Sequence, residues 1–510
     1  MSKKLPIFYS ALLLTVVNLL LRLVGTSFQV YLSGRIGAAG IGLMQLVMSV
    51  GNLAMVAGIA GVRTAAMYLT AGELGKNRPG NVVWVLSGCF LYSITCSCAV
   101  GSTLFISAPW LAENWIGDAR TVDALRLLAA FLPVTCLCGV MTGYFTAANR
   151  IGTLAAVEVA EQMASMAVTM AALTLWAGND PGKACVSVVL GGCLGGCLTL
   201  GCLTALRLKE RVAPGPKIPV RSRLLQAAVP LAMADVLKSG ISTTENLMVP
   251  KRLSLNPRID SPLAAFGIVS GMVFPVLMFP ACILYGLAEL LIPELARCAA
   301  AQSKGRISYL VRRSLRVAML YGLLFSGLEF LLADNLCQSL YHNPEAGRWL
   351  RRYALLIPML YCDAITDAMT KGLGQQKICV RYNILTNAMD VAFLYLLLPK
   401  YGMQGYFFSF FITHLMNFIL SLRRLLKITG ETIPFYVPAL SAAAAAAAIW
   451  ATLHISGPAL RVLAYPALLV SGLYLLRILK PEDARWLLGL FGFKITFPGG
   501  EGSIAKKGAS

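Results

Sequence analysis

Fourteen apolar segments, each long enough to cross a bilayer, run almost end to end through this chain. Crossing a hydrocarbon core of about 30 Å takes roughly 20 mostly apolar residues in a helix. Inside that medium every backbone polar group has to be satisfied internally, so such a chain folds as a bundle of spanning helices. The segments read 6–33, 38–71, 81–108, 123–148, 153–178, 184–207, 223–250, 263–296, 308–333, 350–372, 378–399, 404–426, 434–455 and 460–478. Several exceed the bilayer thickness, so tilted or projecting helices are expected. With 57% hydrophobic and only 13% charged residues, 510 residues cannot cover a water-soluble domain. The fold class is all-α, a polytopic membrane protein with fourteen transmembrane helices. Lys3 and Lys4 precede the first segment, but its apolar stretch is too long for a leader and lacks a small-x-small cleavage site.

A formal net charge of +21 suggests a nucleic-acid binder until its distribution is read. With the N-terminus inside, 29 Lys/Arg fall on the cytoplasmic side, 12 on the outer side and three within spans. That asymmetry is the positive-inside rule, and it places both termini in the cytoplasm of a cell-membrane protein. The richest basic loops, 207–223 and 297–316, suit anionic lipid headgroups. Nucleic acid is not an expected partner. Most of the 14 cysteines sit inside spans, Cys96 and Cys98 or Cys136 and Cys138 among them. A C-x-C pair on a helix does not converge on one metal, and these thiols read as small hydrophobes.

The chain repeats itself weakly. At a shift of 225 residues, Ala129–Pro133 falls on Ala354–Pro358, Gly42 on Gly267 and Gly61 on Gly286. Six spans per repeat is an even number, so the halves share one orientation, a parallel repeat about an axis along the membrane normal. The expected organisation is an N-lobe over 1–207 (helices 1–6), a basic cytoplasmic linker over 208–222, and a C-lobe over 223–428 (helices 7–12). Two C-terminal helices at 429–480 and a cytoplasmic tail at 481–510 complete it. Rocking of one lobe against the other gives alternating access.

Ionisable groups inside spans cost about 2.5–3.5 kcal/mol each on insertion scales, so each needs a partner or water. Arg22 and Arg63 read either as a cationic cavity wall for phosphate or as ion pairs with Glu158, Glu161 or Asp235. Lys238 stands three residues from Asp235 on the seventh span. Glu245, on the same span, has no basic residue within four positions. Asn383, Asn387 and Asp390 form a polar stripe on the eleventh. Together with Glu245 they read as a sodium or proton site of hard oxygens, or as interhelical hydrogen bonding. Asp363 and Asp367 read as a solvated face, and Lys251 and Arg252 as interfacial snorkelers. The three histidines give no catalytic pattern, and no P-loop is present. The chain is not expected to be an enzyme or to hold a cofactor.

The stretch Gly37-Ala38-Ala39-Gly40-Ile41-Gly42 with Gln45 is similar to the G-x-x-G-x-G-x-x-Q pattern of polysaccharide-biosynthesis flippases. These share a superfamily with multidrug and toxic-compound exporters. The eighth span, Phe266–Met272 through Phe279-Pro280 to Leu291-Ile292-Pro293-Glu294, resembles the stage V sporulation protein B group. The resemblance implies a V-shaped pair of lobes, a central hydrophilic cavity and outward movement of lipid-linked sugars without ATP. Arg22 before Gly25 resembles the first-span Arg of lipid II flippases, whose further Arg positions are Phe28 and Ser270 here. Glu245, fifteen residues after Pro230, resembles their seventh-span acid. In some relatives that acid joins a sodium site with polar groups of the eleventh and twelfth spans, to which Asn383, Asn387 and Asp390 are nearest here.

The function expected on these grounds is a flippase for undecaprenyl-pyrophosphate-linked oligosaccharide or peptidoglycan-type precursors, acting in spore envelope formation. Arg22, assisted by Arg63 or Lys238, would hold the pyrophosphate. The partners would be that substrate, membrane lipids and cell-envelope synthesis enzymes, with the carrier itself a monomer. The alternative is a cation-coupled multidrug exporter of the same superfamily, for which an acidic, aromatic cavity is expected.

Overall fold

The computed structural model describes residues 7–479 except 179, 211–212, 214, 217–218, 433 and 435, with side chains from Val17 onward except Asn18. The tail expected at 481–510 lies outside the described residues. Every element among the described residues is helical. Helix α1 (Ile7–Ile59) joins the first two expected segments into one bent rod, broken at Gly37, whose φ of 69° only glycine adopts freely. Beyond a second left-handed step at Ala60-Gly61, α2 (Val62–Gly75) completes the second segment. Then come α3 (Val82–Leu111), α4 (Val122–Ala147), α5 (Ile151–Ala172) and α6 (Pro181–Leu208). These pack on one another and on α1 and α2. Asp180 starts α6 by accepting the Gly182 N–H at 2.8 Å, with Pro181 in the first turn where no donor is needed.

Helix α7 (Val220–Leu253) follows the linker and packs on both halves, against α1 and α2 and against α14. Next comes a broken rod. It runs through α8 (Pro262–Gly267), a π-turn at Ile268–Val273 and α9 (Phe274–Leu277) into α10 (Ala281–Ala300), bent by 63°. Pro275 brings no N–H to the Gly271 carbonyl, which accepts from Gln29 Nε2 of α1 at 3.2 Å instead. The Leu277 and Pro280 carbonyls at the bend accept from the Tyr361 and Tyr321 hydroxyls at 3.1 and 2.8 Å. The break survives because side chains replace the missing backbone donors.

Helices α11 (Lys304–Tyr341), α12 (Pro344–Ala354), α13 (Ile357–Gly372), α14 (Gln376–Tyr401) and α15 (Met403–Thr429) complete the second half. A final pair, α16 (Tyr436–Leu453) and α17 (Pro458–Leu475), rests on α11. There Tyr465 of α17 donates to the Leu323 carbonyl at 2.7 Å and packs the hydroxyl end of its ring against Gly327.

The two halves make a close backbone contact at the end away from the linker. Gly42 of α1 and Gly267 of α8, the pair related by the 225-residue shift, touch there. A methyl group on Gly267 would stand 2.7 Å from the Gly42 nitrogen. A contact between repeat-related residues is what an axis passing between them produces.

Fourteen spans are not all recovered by length and composition. Nine helices among the described residues are long and apolar enough to cross a membrane, ten with the bent α8–α10 rod. The shortfall has local causes. The first two segments run on as one span, Glu158 and Glu161 lie in α5, Asn383, Asn387 and Asp390 in α14, and α12 and α13 are separate short helices of 11 and 16 residues. The chain is a multi-pass helical membrane protein.

Candidate functional site

Two polar cavities adjoin along α7 and share Ser242. The first, of ≈410 Å³, is lined from α1, α7, the π-turn, α9, α13, α14 and α15. Glu245, Asn383, Asn387 and Asp390 all reach it, so the four residues proposed from sequence for cation coupling share one space. Asp390 is buried and accepts from the Ser409 hydroxyl at 2.5 Å and the Thr413 hydroxyl at 3.2 Å, both on α15. The Glu245 carboxyl comes across from α7 to hydrogen-bonding range of Asp390. Two carboxyls held this way need a positive charge between them, a shared proton or a cation. Carboxylate, amide and hydroxyl oxygens together suit a hard monovalent ion. Among the described residues no group of three or more His, Cys, Asp or Glu is arranged to hold a metal ion, so any ion here would also rest on amide and hydroxyl oxygens.

The fourfold spacing of Ser409, Thr413 and Asn417 along the aromatic-rich α15 is a signal the sequence reading passed over. Asn417 donates to Asp363 at 3.0 Å, and Asp363 lines the cavity rather than a solvated face. Its expected partner in that role, Asp367, instead pairs with Lys371 at 2.5 Å. The difference arises because α13 turns Asp363 toward α15, a rotation that spacing along one helix does not record. Beside the cavity α1 and α7 are tied together at Ser49, whose carbonyl and hydroxyl accept from Thr243 and Asn246 of α7 at 3.1 and 3.0 Å.

The second cavity, of ≈370 Å³, is lined by Arg63 and Thr64 of α2, Asn52 of α1, and Asp235, Lys238 and Ser239 of α7. Arg63 and Lys238 are exposed within it, and neither is in a salt bridge among the described residues. Glu158 lies within electrostatic reach of Arg63 without pairing to it. Gly61, at φ 72°, lets α2 start against α7, where a methyl group would meet the Ala228 carbonyl at 2.5 Å. Arg22 lies apart. It lines neither cavity and sits over the Tyr285 ring of α10 at 5.6 Å. The three expected phosphate-binding residues therefore form a pair and a separate cation, because α1 carries Arg22 toward α10 rather than toward α2.

The reverse face of α7 borders an apolar groove of ≈920 Å³ between α1, α3, α7 and α14, with Leu53, Leu104, Trp110, Leu237 and Leu247 on its walls. Residues 238, 242 and 245 of α7 face polar space, while 237, 240 and 244 face the groove. One helix thus divides charge from hydrocarbon-like space.

Residues 37–257 match the family described as polysaccharide biosynthesis protein. The chain is 18% identical over 406 residues to stage V sporulation protein B of Bacillus subtilis (strain 168), spanning 77% of this chain and 78% of that one. Among solved structures it is similar to the inward closed conformation of lipid II flippase MurJ, at TM-score 0.65 and 11% identity over 94% of this chain and 100% of the other. It is also similar to an inward-facing multidrug resistance MATE family transporter of the MOP superfamily, at TM-score 0.62 and 13% identity over 82% and 100%. Both solved proteins are carriers rather than enzymes. The chain is a polytopic membrane protein with the fold of the MOP transporters, resembling the polysaccharide-biosynthesis and stage V sporulation protein B group in sequence.

Proposed function

We propose that this protein is a flippase that moves a lipid-linked sugar, carried on undecaprenyl pyrophosphate, from the inner to the outer leaflet by alternating access. The observation that carries this reading is the division across α7, with Arg63 and Lys238, in no salt bridge among the described residues, in polar space on one side and an apolar groove on the other. That is the layout of an amphiphile with an anionic head. Arg63 and Lys238 bind the pyrophosphate, and Arg22 is a cation met outside the two cavities. Binding of sodium or a proton between Glu245 and Asp390 resets the carrier. The termini face the cytoplasm, as the basic loops favour, and similarity to a sporulation protein supports a role in spore envelope construction.

A second reading has its own support. The ≈410 Å³ cavity joins Glu245, Asp363 and Asp390 to Phe274, Tyr406 and Phe410, an acidic and aromatic lining that suits organic cations. Native mass spectrometry of the purified protein with undecaprenyl-pyrophosphoryl sugars and with organic cations separates the two. The flippase reading expects retention of the lipid-linked sugar, weakened about 10- to 150-fold when Arg63→Ala and Lys238→Ala are combined, from roughly 1.5–3 kcal/mol of charge-assisted hydrogen bonding. Binding of organic cations alone, abolished by Glu245→Ala, replaces it with the exporter.

A further inference from the structure

Glu329 on α11 is a membrane-embedded acid outside both cavities. Its side chain is 5% exposed, and both carboxyl oxygens are sealed from solvent with no hydrogen-bond partner among the described residues. It lies on the stripe of α11 that faces α12 and α13, between Gly322, which packs on Pro358, and Ala333, which packs on Gly347. The titratable groups facing it are Tyr321 and Cys337 on its own helix and Tyr361 on α13. Neither tyrosine donates to it, because their hydroxyl hydrogens go to the Pro280 and Leu277 carbonyls at the α8–α10 bend. Tyr465 of α17 donates to Leu323, and Arg351 of α12, with its guanidinium over the Phe330 ring, is paired with Asp334.

A bare carboxylate in such a place is far costlier than a neutral acid. The two tyrosines lie within electrostatic reach of Glu329 but outside hydrogen-bonding range of its carboxyl. The tyrosines lead outward. The rings of Tyr321 and Tyr361 are 5.9 Å apart, Tyr361 is within electrostatic reach of Tyr285, and Tyr285 is 39% exposed and close to Asp363 and Arg22.

We propose that Glu329 is a proton-binding site, separate from the Glu245–Asp390 pair, which exchanges its proton with the accessible space at Tyr285 and Asp363 past Tyr361 and Tyr321. One proton leaves water at that surface and joins a carboxylate oxygen of Glu329, and no other bond changes. The site rests on the packing of α11 and holds whichever solute the carrier moves.

The test is infrared difference spectroscopy of the full-length protein in detergent or lipid. Glu329→Gln is expected to lose one protonated-carboxyl C=O band, and Glu329→Asp, which keeps an acid, to move that band. Tyr361→Phe is expected to keep the band but to slow its shift in D2O by tenfold or more. A spectrum in which neither Glu329 variant alters a protonated-carboxyl band overturns the proton site. A D2O shift as fast in Tyr361→Phe as in wild type overturns the route. Size-exclusion chromatography of each variant separates these outcomes from misfolding.

Discussion

Closure of the bundle away from the linker depends on two glycines, and the consequence of disturbing them can be worked from their spacing. In Gly267→Ala the new methyl stands 2.7 Å from the Gly42 nitrogen and closer still to the Ala38 carbonyl. An ordinary contact begins near 3.4 Å, so the nitrogen alone makes α8 withdraw from α1 by ~0.7 Å, and the closer Ala38 carbonyl requires more. Both atoms it meets are backbone, which cannot swing aside as a flexible side chain does. Overpacking of this kind costs about 1–3 kcal/mol. Because that cost falls only on the arrangement in which α1 and α8 touch, it shifts the balance between closed and open ends by roughly 5- to 150-fold. The readout is the rate at which a membrane-impermeant maleimide labels Ser270→Cys, which lines the ≈410 Å³ cavity just inside this contact. Measured with the native cysteines replaced, labelling from the side away from the linker should accelerate by that factor in Gly267→Ala. An unchanged labelling rate in a folded Gly267→Ala protein would falsify the claim that this contact is a closure.

Three further outcomes are expected. Glu245→Gln, Asp390→Asn and Thr413→Ala should each weaken binding of radiolabelled sodium tenfold or more if sodium is the ion. If none affects it while proton uptake falls, the ion is a proton. Tyr465→Phe should lower stability by about 1 kcal/mol through loss of the 2.7 Å bond to Leu323, and Gly327→Ala, whose methyl would overlap the Tyr465 ring and hydroxyl, should cost more, both visible in thermal melts. Asp118, in the connection before α4, is held below the usual carboxylate range by the Arg120 side chain first and the Arg120 backbone N–H after it. A depressed carboxyl stabilises above its unfolded value near ~3.9 and loses that contribution as pH falls through the lower folded value. Melting temperature should therefore drop on acidification below about pH 4, and Asp118→Asn should flatten that limb by about 0.2–1 kcal/mol, the scale of an exposed pair.

The residues differ in how far one dimension reveals them. Glu245 and Asp390 stand out as acids in apolar runs, and α7 and α14 bring them to one cavity. Glu329 is as buried as either, yet its segment reads as an ordinary span. Nothing along the sequence marks that the tyrosines around it donate elsewhere. Asp363 looked solvated beside Asp367 because both lie toward the cytoplasmic end of their segment, and position along a helix does not say what its face meets. Arg22 and Arg63 looked alike as cations in the first two spans, and the bend at Gly37 together with the turn at Gly61 sends them to different neighbours.

What the sequence alone determined is the class of the molecule. Long apolar runs in a bilayer leave the backbone no alternative to helices, and prolines, glycines and short polar stretches mark where those helices stop. Which polar groups share a cavity was decided only by tertiary structure. That depends on how far each helix is rotated about its axis and where it crosses its neighbours. Those quantities are set by close contacts such as Gly42 on Gly267 and Gly61 on Ala228. Between helices in lipid there is little hydrophobic force to announce a packing face, so small residues and a few hydrogen bonds settle it. Those contacts carry almost no one-dimensional signature.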